Sequence, residues 1–317
     1  MNYFRGGAAM NQTAAAEEAL RQGDLVACRE LLFKHVRAKP EDLKARAFLF
    51  QFLCLVGEWD RAKKQMQLYT EMDAASLGFV AIYLAGVDAE AVRTQVMAGK
   101  ASPPVFGPPE AWIARLGEAM KRDAAGETEL ATALREDAYA EAPTRKGTID
   151  GQPFEWITDA DARFGPALEA VVDGAYHWLP FQHIAKLELE APKDLRDLVW
   201  MEGALTLTNG GSFGILVPAR YPGSDKSSDS ATVMGRRTDW EEMAPGMFRG
   251  LGQKMLATDT ADVSLLEVRV IEFETAGVDM NFDTPADPMT TSMSLSAADL
   301  PDAGGADAAT NPSDTTG

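Results

Sequence analysis

Inward-facing positions recur every three or four residues through the first half of the chain. From 25 to 36 they fall at Leu25, Cys28, Leu31, Leu32, His35 and Val36, and Trp59, Ala62, Met66 and Tyr69 repeat the spacing. This is the period of one buried helical face. Between them, 43–55 is too densely apolar for a single exposed face, which predicts a helix sandwiched between neighbours. Trp112, Ile113, Leu116 and Met120 predict a helix over 110–125, and Leu130, Leu134 and Tyr139 another over 127–140. The proline-dense segment 102–109 separates these from the earlier helices, because proline removes a donor and clashes in a helix interior. From about Thr148 the period becomes two. Residues 168–172 and 175–179 flank Asp173-Gly174, the signature of a tight hairpin. Strands are predicted over 184–189, 204–208 and 213–217, with 263–273 as the longest candidate.

The turns carry a second pattern. Gly23-Asp24-Leu25 recurs as Gly57-Glu58-Trp59, 34 residues later, and the register carries Cys28 onto Ala62, Leu32 onto Met66 and Pro40 onto Ala74. A helical hairpin cannot bury its apolar stripe alone, and 34 is the tetratricopeptide period. The expected fold class is therefore multi-domain α and α+β. Tetratricopeptide-like helical hairpins over 13–143 follow a flexible stretch over 1–12 and precede a β-rich α+β domain over 148–276. The segment 279–317 holds seven Asp and no Lys or Arg. It has too little apolar surface to offset the entropy of ordering, and disorder is predicted there.

Charge narrows the partners. Asp and Glu number 48 against 30 Lys and Arg, a formal net charge of −18, which repels nucleic-acid phosphates and anionic lipid. Protein partners are expected, and nucleic acid is not. The two cysteines, Cys28 and Cys54, sit in helical patterns and read as buried core thiols suited to a reducing cytosol. No stretch approaches the length of apolar sequence that spans a bilayer, and the N-terminus lacks the apolar core of a secretory signal. A cytoplasmic location without membrane insertion is expected.

Candidate chemistry is sparse. His35 occupies a helix–helix position, and His177 and His183 lack a third ligand at metal-site spacing. Asp159 and Asp161, followed by Arg163, offer a carboxylate pair for acid/base work. The competing reading is that they accept backbone hydrogen bonds in a turn and pair with Arg163. Arg196 and Asp197 form a similar local pair beside Trp200. The run 209–214, Asn-Gly-Gly-Ser-Phe-Gly, lacks the Lys-Ser/Thr of a phosphate cradle and reads as a hairpin turn. No cofactor and no catalytic residues are expected.

A family resemblance rests on ordered Trp, Pro and charged positions. Phe154, Trp156, Ile157, Asp159, Asp161, Arg163, Gly165, Pro166 and Glu169 form its first block. Tyr176, Trp178 and Pro180 follow, then Pro192, Arg196, Asp197 and Trp200, then Tyr221, Arg237 and Trp240. With these residues, and Gly107 to Trp112 in the helical half, the sequence resembles the ImpE/TagJ (SciE-type) family over roughly 14–274. Lys254 stands where the family pattern has Arg, and the acidic tail lies outside it. The resemblance implies a non-enzymatic accessory of type VI secretion that binds an N-terminal helix of the small, TssB-like sheath subunit and is linked to the ClpV-type ATPase. Its signature residues are expected to be structural, with Trp156, Tyr176, Trp178, Trp200 and Trp240 serving mainly the core of the β-rich second domain. The groove of tetratricopeptide units is lined by the first helix of each hairpin. This nominates Lys44, Phe48, Gln51 and Phe52 for the partner helix, which would then carry an acidic edge. Two rivals stand: a hydrolase using Asp159, Asp161 and Arg163, and a tetratricopeptide adaptor for another machine. Oligomeric state is left open.

Truncation after Ala276 is expected to leave the melting temperature unchanged, because the removed segment is poor in apolar residues. A fall of several degrees in a thermal melt would contradict this.

Overall fold

Asp24 and Asp42 accept the backbone N–H groups of Ala27 and Ala45 at 2.8 and 3.1 Å, and so start helices α2 (Leu25–Ala38) and α3 (Leu43–Leu55) as side-chain N-caps. With α1 (Gln12–Arg21) and α4 (Trp59–Met72) they make two helical hairpins, α1–α2 and α3–α4. Gly23 and Gly57 turn them at φ of 80° and 69°, a left-handed conformation that glycine adopts without strain. Cys28 and Ala62 are both fully buried, as are Leu32 and, almost, Met66. The sequence period of 34 is therefore a repeat in space. A third hairpin, α6 (Ala111–Ala124) with α7 (Thr128–Glu141), follows as expected. This computed structural model describes residues 12–274 except Pro109. The expectations for residues 1–11 and 279–317 lie outside the described residues.

Between the second and third hairpins runs α5 (Leu77–Met97). The helical stretch 74–97 is long and apolar enough to cross a membrane by length and composition, which corrects the reading that no stretch comes close. One third of its apolar window is buried, and its polar residues Glu90 and Arg93 are buried against the sheet.

The sheet has eight strands, all antiparallel: β1 (Gly147–Ile149), β2 (Gln152–Phe154), β4 (Ala167–Val172), β5 (Ala175–Pro180), β6 (Ile184–Leu189), β7 (Trp200–Leu207), β8 (Ser212–Pro218) and β13 (Val270–Phe273). Their order is β2-β1-β13-β6-β7-β8-β4-β5. The β4–β5 hairpin turns at Asp173-Gly174, with φ of 49° and 76°, as the Asp-Gly pair predicted. β7 and β8 turn through Asn209-Gly210-Gly211, where Asn209 accepts the Gly211 N–H at 3.0 Å. A smaller sheet pairs β12 (Asp262–Ser264), β11 (Met255–Thr258) and β3 (Ile157–Asp159), and β9 (Thr238–Ala244) pairs with β10 (Met247–Gly252).

Side chains alternate across the large sheet. One set, including Leu168, Ala170, Val172, Met201 and Val217, closes a core with Ile157, Leu256, Leu265 and Val268 from the far side. The other set, Val171, Tyr176, Trp178, Trp200 and Leu216, belongs to one core with the helices. Trp200 anchors that core. Its ring lies 5.7 Å from Trp59 and 6.4 Å from Tyr83, and Gly86 lets α5 approach so closely that an added Cβ would sit 3.3 Å from Trp200 and Leu216.

Two expectations fail. The 263–273 strand breaks: Ser264 and Leu265 accept N–H groups from Glu267 and Val268, and the turn plants Leu265 and Val268 in the core. β12 then belongs to the small sheet and β13 to the large one, so the chain must bend to change sheets. Trp156 and Trp240 are not core residues, being 39% and 43% exposed. Trp240 instead covers the ring of Tyr221 at 5.6 Å.

Trp200→Ala should cost about 3–5 kcal/mol, the range for a large buried aromatic, whereas Trp156→Ala should stay within about 1 kcal/mol. Urea unfolding of the two variants checks both. Equal losses would contradict this placement of the two rings.

Candidate functional site

The signature residues converge on an ionic cluster beneath α5. Arg93 donates through Nε and Nη2 to the two carboxylate oxygens of Glu169 on β4, at 2.7 and 2.6 Å, and through Nη2 to the Arg220 carbonyl at 2.8 Å. Lys254 lies 3.0 Å from Glu169 and donates to Asp159 at 2.6 Å, with its ammonium 4.0 Å above the Phe164 ring. Tyr221 donates to Asp159 at 2.9 Å. Asp161 takes the Gly250 N–H at 2.8 Å and the Arg163 guanidinium at 2.5 Å. Tyr176 donates to Glu169 and accepts from the Trp178 indole at 2.8 Å, while the Trp200 indole donates to Glu90 at 3.1 Å.

Every cluster carboxylate is buried, so desolvation acts against each charge and the neighbours decide the outcome. Burial raises the Glu169 carboxyl, but Arg93 and Lys254 outweigh it and hold it down at about 2. At Asp159 burial wins, and its pKa is raised despite Lys254, with Asp161 adding repulsion. Burial brings the Arg220 guanidinium down to about 10. It donates to the carbonyls of Leu55 at 2.9 Å and Val233, tying α3 to the β half. Glu169, Arg93, Arg220 and Lys254 hold the cluster together. The sequence marked Glu169 as a signature residue and Lys254 as a departure from it, but gave no sign that these two meet Arg93, or that Arg220 bonds the α3 end.

The remaining signature residues are scaffolding of a simpler kind. Gly165 turns at φ 54° with the Tyr139 ring where a Cβ would be, and Pro166 leads into β4. Asp197 accepts the N–H groups of Lys193 and Asp194 at 2.7 and 2.9 Å. Arg196 pairs with Asp194 at 3.0 Å and covers the rings of Phe79 and Tyr83. Arg237 pairs with Asp239 at the surface.

The nominated groove on α3 is taken by the chain itself. The 3-10 turn Leu195–Leu198 packs against α3. Phe52 is 1% exposed, Phe48 and Gln51 are half-buried, and Lys44 alone is open. Phe48 and Phe52 therefore feed the core, and the four do not form one surface.

The open apolar surface lies elsewhere. A trough of about 480 Å³ runs between α5 and the sheet, floored by Ala85, Val171, Ala204, Gly214 and Leu216. On its helix side Ile82 is 52% exposed. Asp173, Glu188, Glu190 and Glu202 rim it. Among the described residues no group of three His, Cys, Asp or Glu is placed to hold a metal ion. His35 bonds Asp42 at 2.8 Å and His177 bonds the Ala175 carbonyl at 2.9 Å.

Glu169→Gln should lower stability at neutral pH, and its deficit should shrink in acid. A carboxyl held at about 2 against an ordinary 4.5 stabilises fully above pH 4.5, and that stabilisation is lost as pH falls to about 2. Urea midpoints of both proteins across that window check it. A deficit constant with pH would assign the effect to packing.

Residues 151–272 match the ImpE protein family. The type VI secretion system accessory component TagJ of Pseudomonas aeruginosa is 43% identical over 259 residues, spanning 82% of this chain and 91% of that protein. A crystal structure of protein VPA1032 from Vibrio parahaemolyticus superposes with a TM-score of 0.75, covering 82% of this chain and 97% of that one at 22% identity; it shares the fold. On the identity to TagJ across most of both chains, the protein belongs to the ImpE/TagJ family of type VI secretion accessory components.

Proposed function

We propose that the protein is a non-enzymatic, cytoplasmic adaptor that binds the small sheath subunit through that subunit's N-terminal helix and so serves ClpV-type sheath disassembly. The trough between α5 and the sheet is the observation that carries the binding mode. Its volume of about 480 Å³ and its apolar floor suit side chains from one face of an amphipathic helix. Ala204 and Gly214 keep the sheet low there, so a helix can lie beside α5 and extend the helical layer. The rim of Asp173, Glu188, Glu190 and Glu202 calls for a helix with a basic edge, the reverse of the acidic edge that Lys44 suggested.

The carboxylate pair supports the non-enzymatic reading. Asp159 accepts from Lys254, Tyr221 and the Asp161 N–H, and Asp161 from Arg163 and the Gly250 N–H. Both carboxylates are buried and held by these donors. A general base needs a lone pair within reach of a substrate proton.

Gly214 offers a clean test, because nothing lies within 4 Å of a Cβ built there and its φ is not left-handed. Gly214→Trp should fill the trough, keep the melting temperature, and weaken binding of a synthetic sheath-subunit N-terminal helix at least ~10-fold, as loss of a central anchor does. Lys44→Glu should leave affinity unchanged. Equal affinity for wild type and Gly214→Trp would place the helix elsewhere.

A further inference from the structure

On the outer side of the hairpins, α2 and α4 leave a groove of about 830 Å³. Along α2 it is lined by Val26, Arg29, Phe33, Lys34 and Arg37, and Arg61 enters from α4. Val26, Arg29, Phe33 and Arg37 lie three or four apart and form one stripe, with Lys34 beside Phe33 on its edge. Its apolar members are open: Val26 is 70% exposed and Phe33 is half-buried.

The cations are organised in two ways. Glu58 holds Arg29 and Arg61, each at 2.5 Å, and this sets both guanidinium groups against the Phe33 ring, 5.7 and 4.4 Å from its centre. Lys34 and Arg37 have no carboxylate within ion-pair distance among the described residues. Four cations facing only Glu30 and Glu58 are unusual in a chain with 48 acidic and 30 basic residues. A surplus of acid elsewhere leaves this groove a local positive field.

We infer that the α2–α4 groove is a second docking site, which takes an acidic amphipathic helix from a partner protein. Apolar side chains of that helix cover Val26 and Phe33, and its carboxylates meet Lys34 and Arg37. The apolar stripe selects a helix over a phosphate backbone or a lipid headgroup, neither of which would cover Val26 and Phe33. The chain's charge of −18 opposes polyanions that approach over a wide area. The groove shares no lining residue with the trough, so the two proposed sites can be tested separately.

The test uses the full chain and fluorescence anisotropy. The probe is a labelled 18-residue peptide, about five turns, with Leu on one face and Glu along its flanks. Expected is saturable binding that weakens with salt and falls at least ~10-fold in the Lys34→Glu, Arg37→Glu variant, with the melting temperature kept. Gly214→Trp should bind the probe as wild type does. Absence of saturable binding overturns the proposal, as does binding that ignores the charge reversal. Tighter binding of a single-stranded oligonucleotide or of phosphatidylserine vesicles, lost in the same variant, also overturns it and assigns the groove to phosphate.

Discussion

The bidentate contact between Arg93 and Glu169 is the constraint around which the molecule is organised. It joins the C-terminal part of α5 to the middle of β4, 76 residues apart, in a place where both charges are buried. Removing one partner of such a pair costs about 3–5 kcal/mol, because the other stays buried and unpaired. The cluster avoids that by closing on itself. Lys254 takes the second demand of Glu169 and the first of Asp159, and Tyr221 and Tyr176 occupy the remaining lone pairs. Glu169, Asp159 and Lys254 are each held by at least two others. Helix α5, the large sheet and the small sheet are therefore positioned together.

This explains why the helical repeats do not offer a free concave face. Stacked hairpins normally leave the first helix of each unit open to a ligand. Here Trp200 enters between α4 and α5, Arg220 reaches the α3 C-terminus, and the 195–198 turn packs on α3. The β half is the permanent occupant of the repeat. What remains open is set by the sheet's extent: α5 covers β4, β5, part of β8 and the start of β7 at Trp200, and leaves the trough over Glu188–Glu190 of the β6 end and Gly203–Ala204 of β7.

The sequence revealed what is local. Both hairpins, the Gly23 and Gly57 turns, and the Asp173-Gly174 reversal follow from residue type and spacing, since a glycine at positive φ or an Asp-Gly pair admits few alternatives. Helix α5 carried no comparable signal. Its apolar residues lie all round the axis, as in a helix with contacts on several sides. The break at Leu265 was hidden because the turn plants apolar Leu265 and Val268 in the core and carries no Gly or Pro, so the run 263–273 reads as one strand. Trp156 and Trp240 were misread for the opposite reason. Aromatic rings usually buy core area, and only the tertiary structure shows that these two lie at its edge. The ionic cluster was half legible: Asp159, Asp161 and Arg163 stood out as neighbours, while Arg93, Glu169 and Lys254 come from three distant segments.

Charge patterning bears on the two proposed docking grooves. A chain at −18 has little need of acidic residues around an apolar trough, yet Asp173, Glu188, Glu190 and Glu202 all gather there. It can ill spare cations, yet four line the outer groove of α2 and α4. On the proposed docking, opposite rims would discriminate between partner helices through repulsion as well as attraction, since like charges brought together at an interface cost several kcal/mol. A helix suited to one groove is rejected by the other. The elements between them, α4 and α5, share a core with the sheet, so whatever the two grooves hold is kept at a fixed separation. For an accessory component of a secretion machine, that fixed geometry is what the fold can supply.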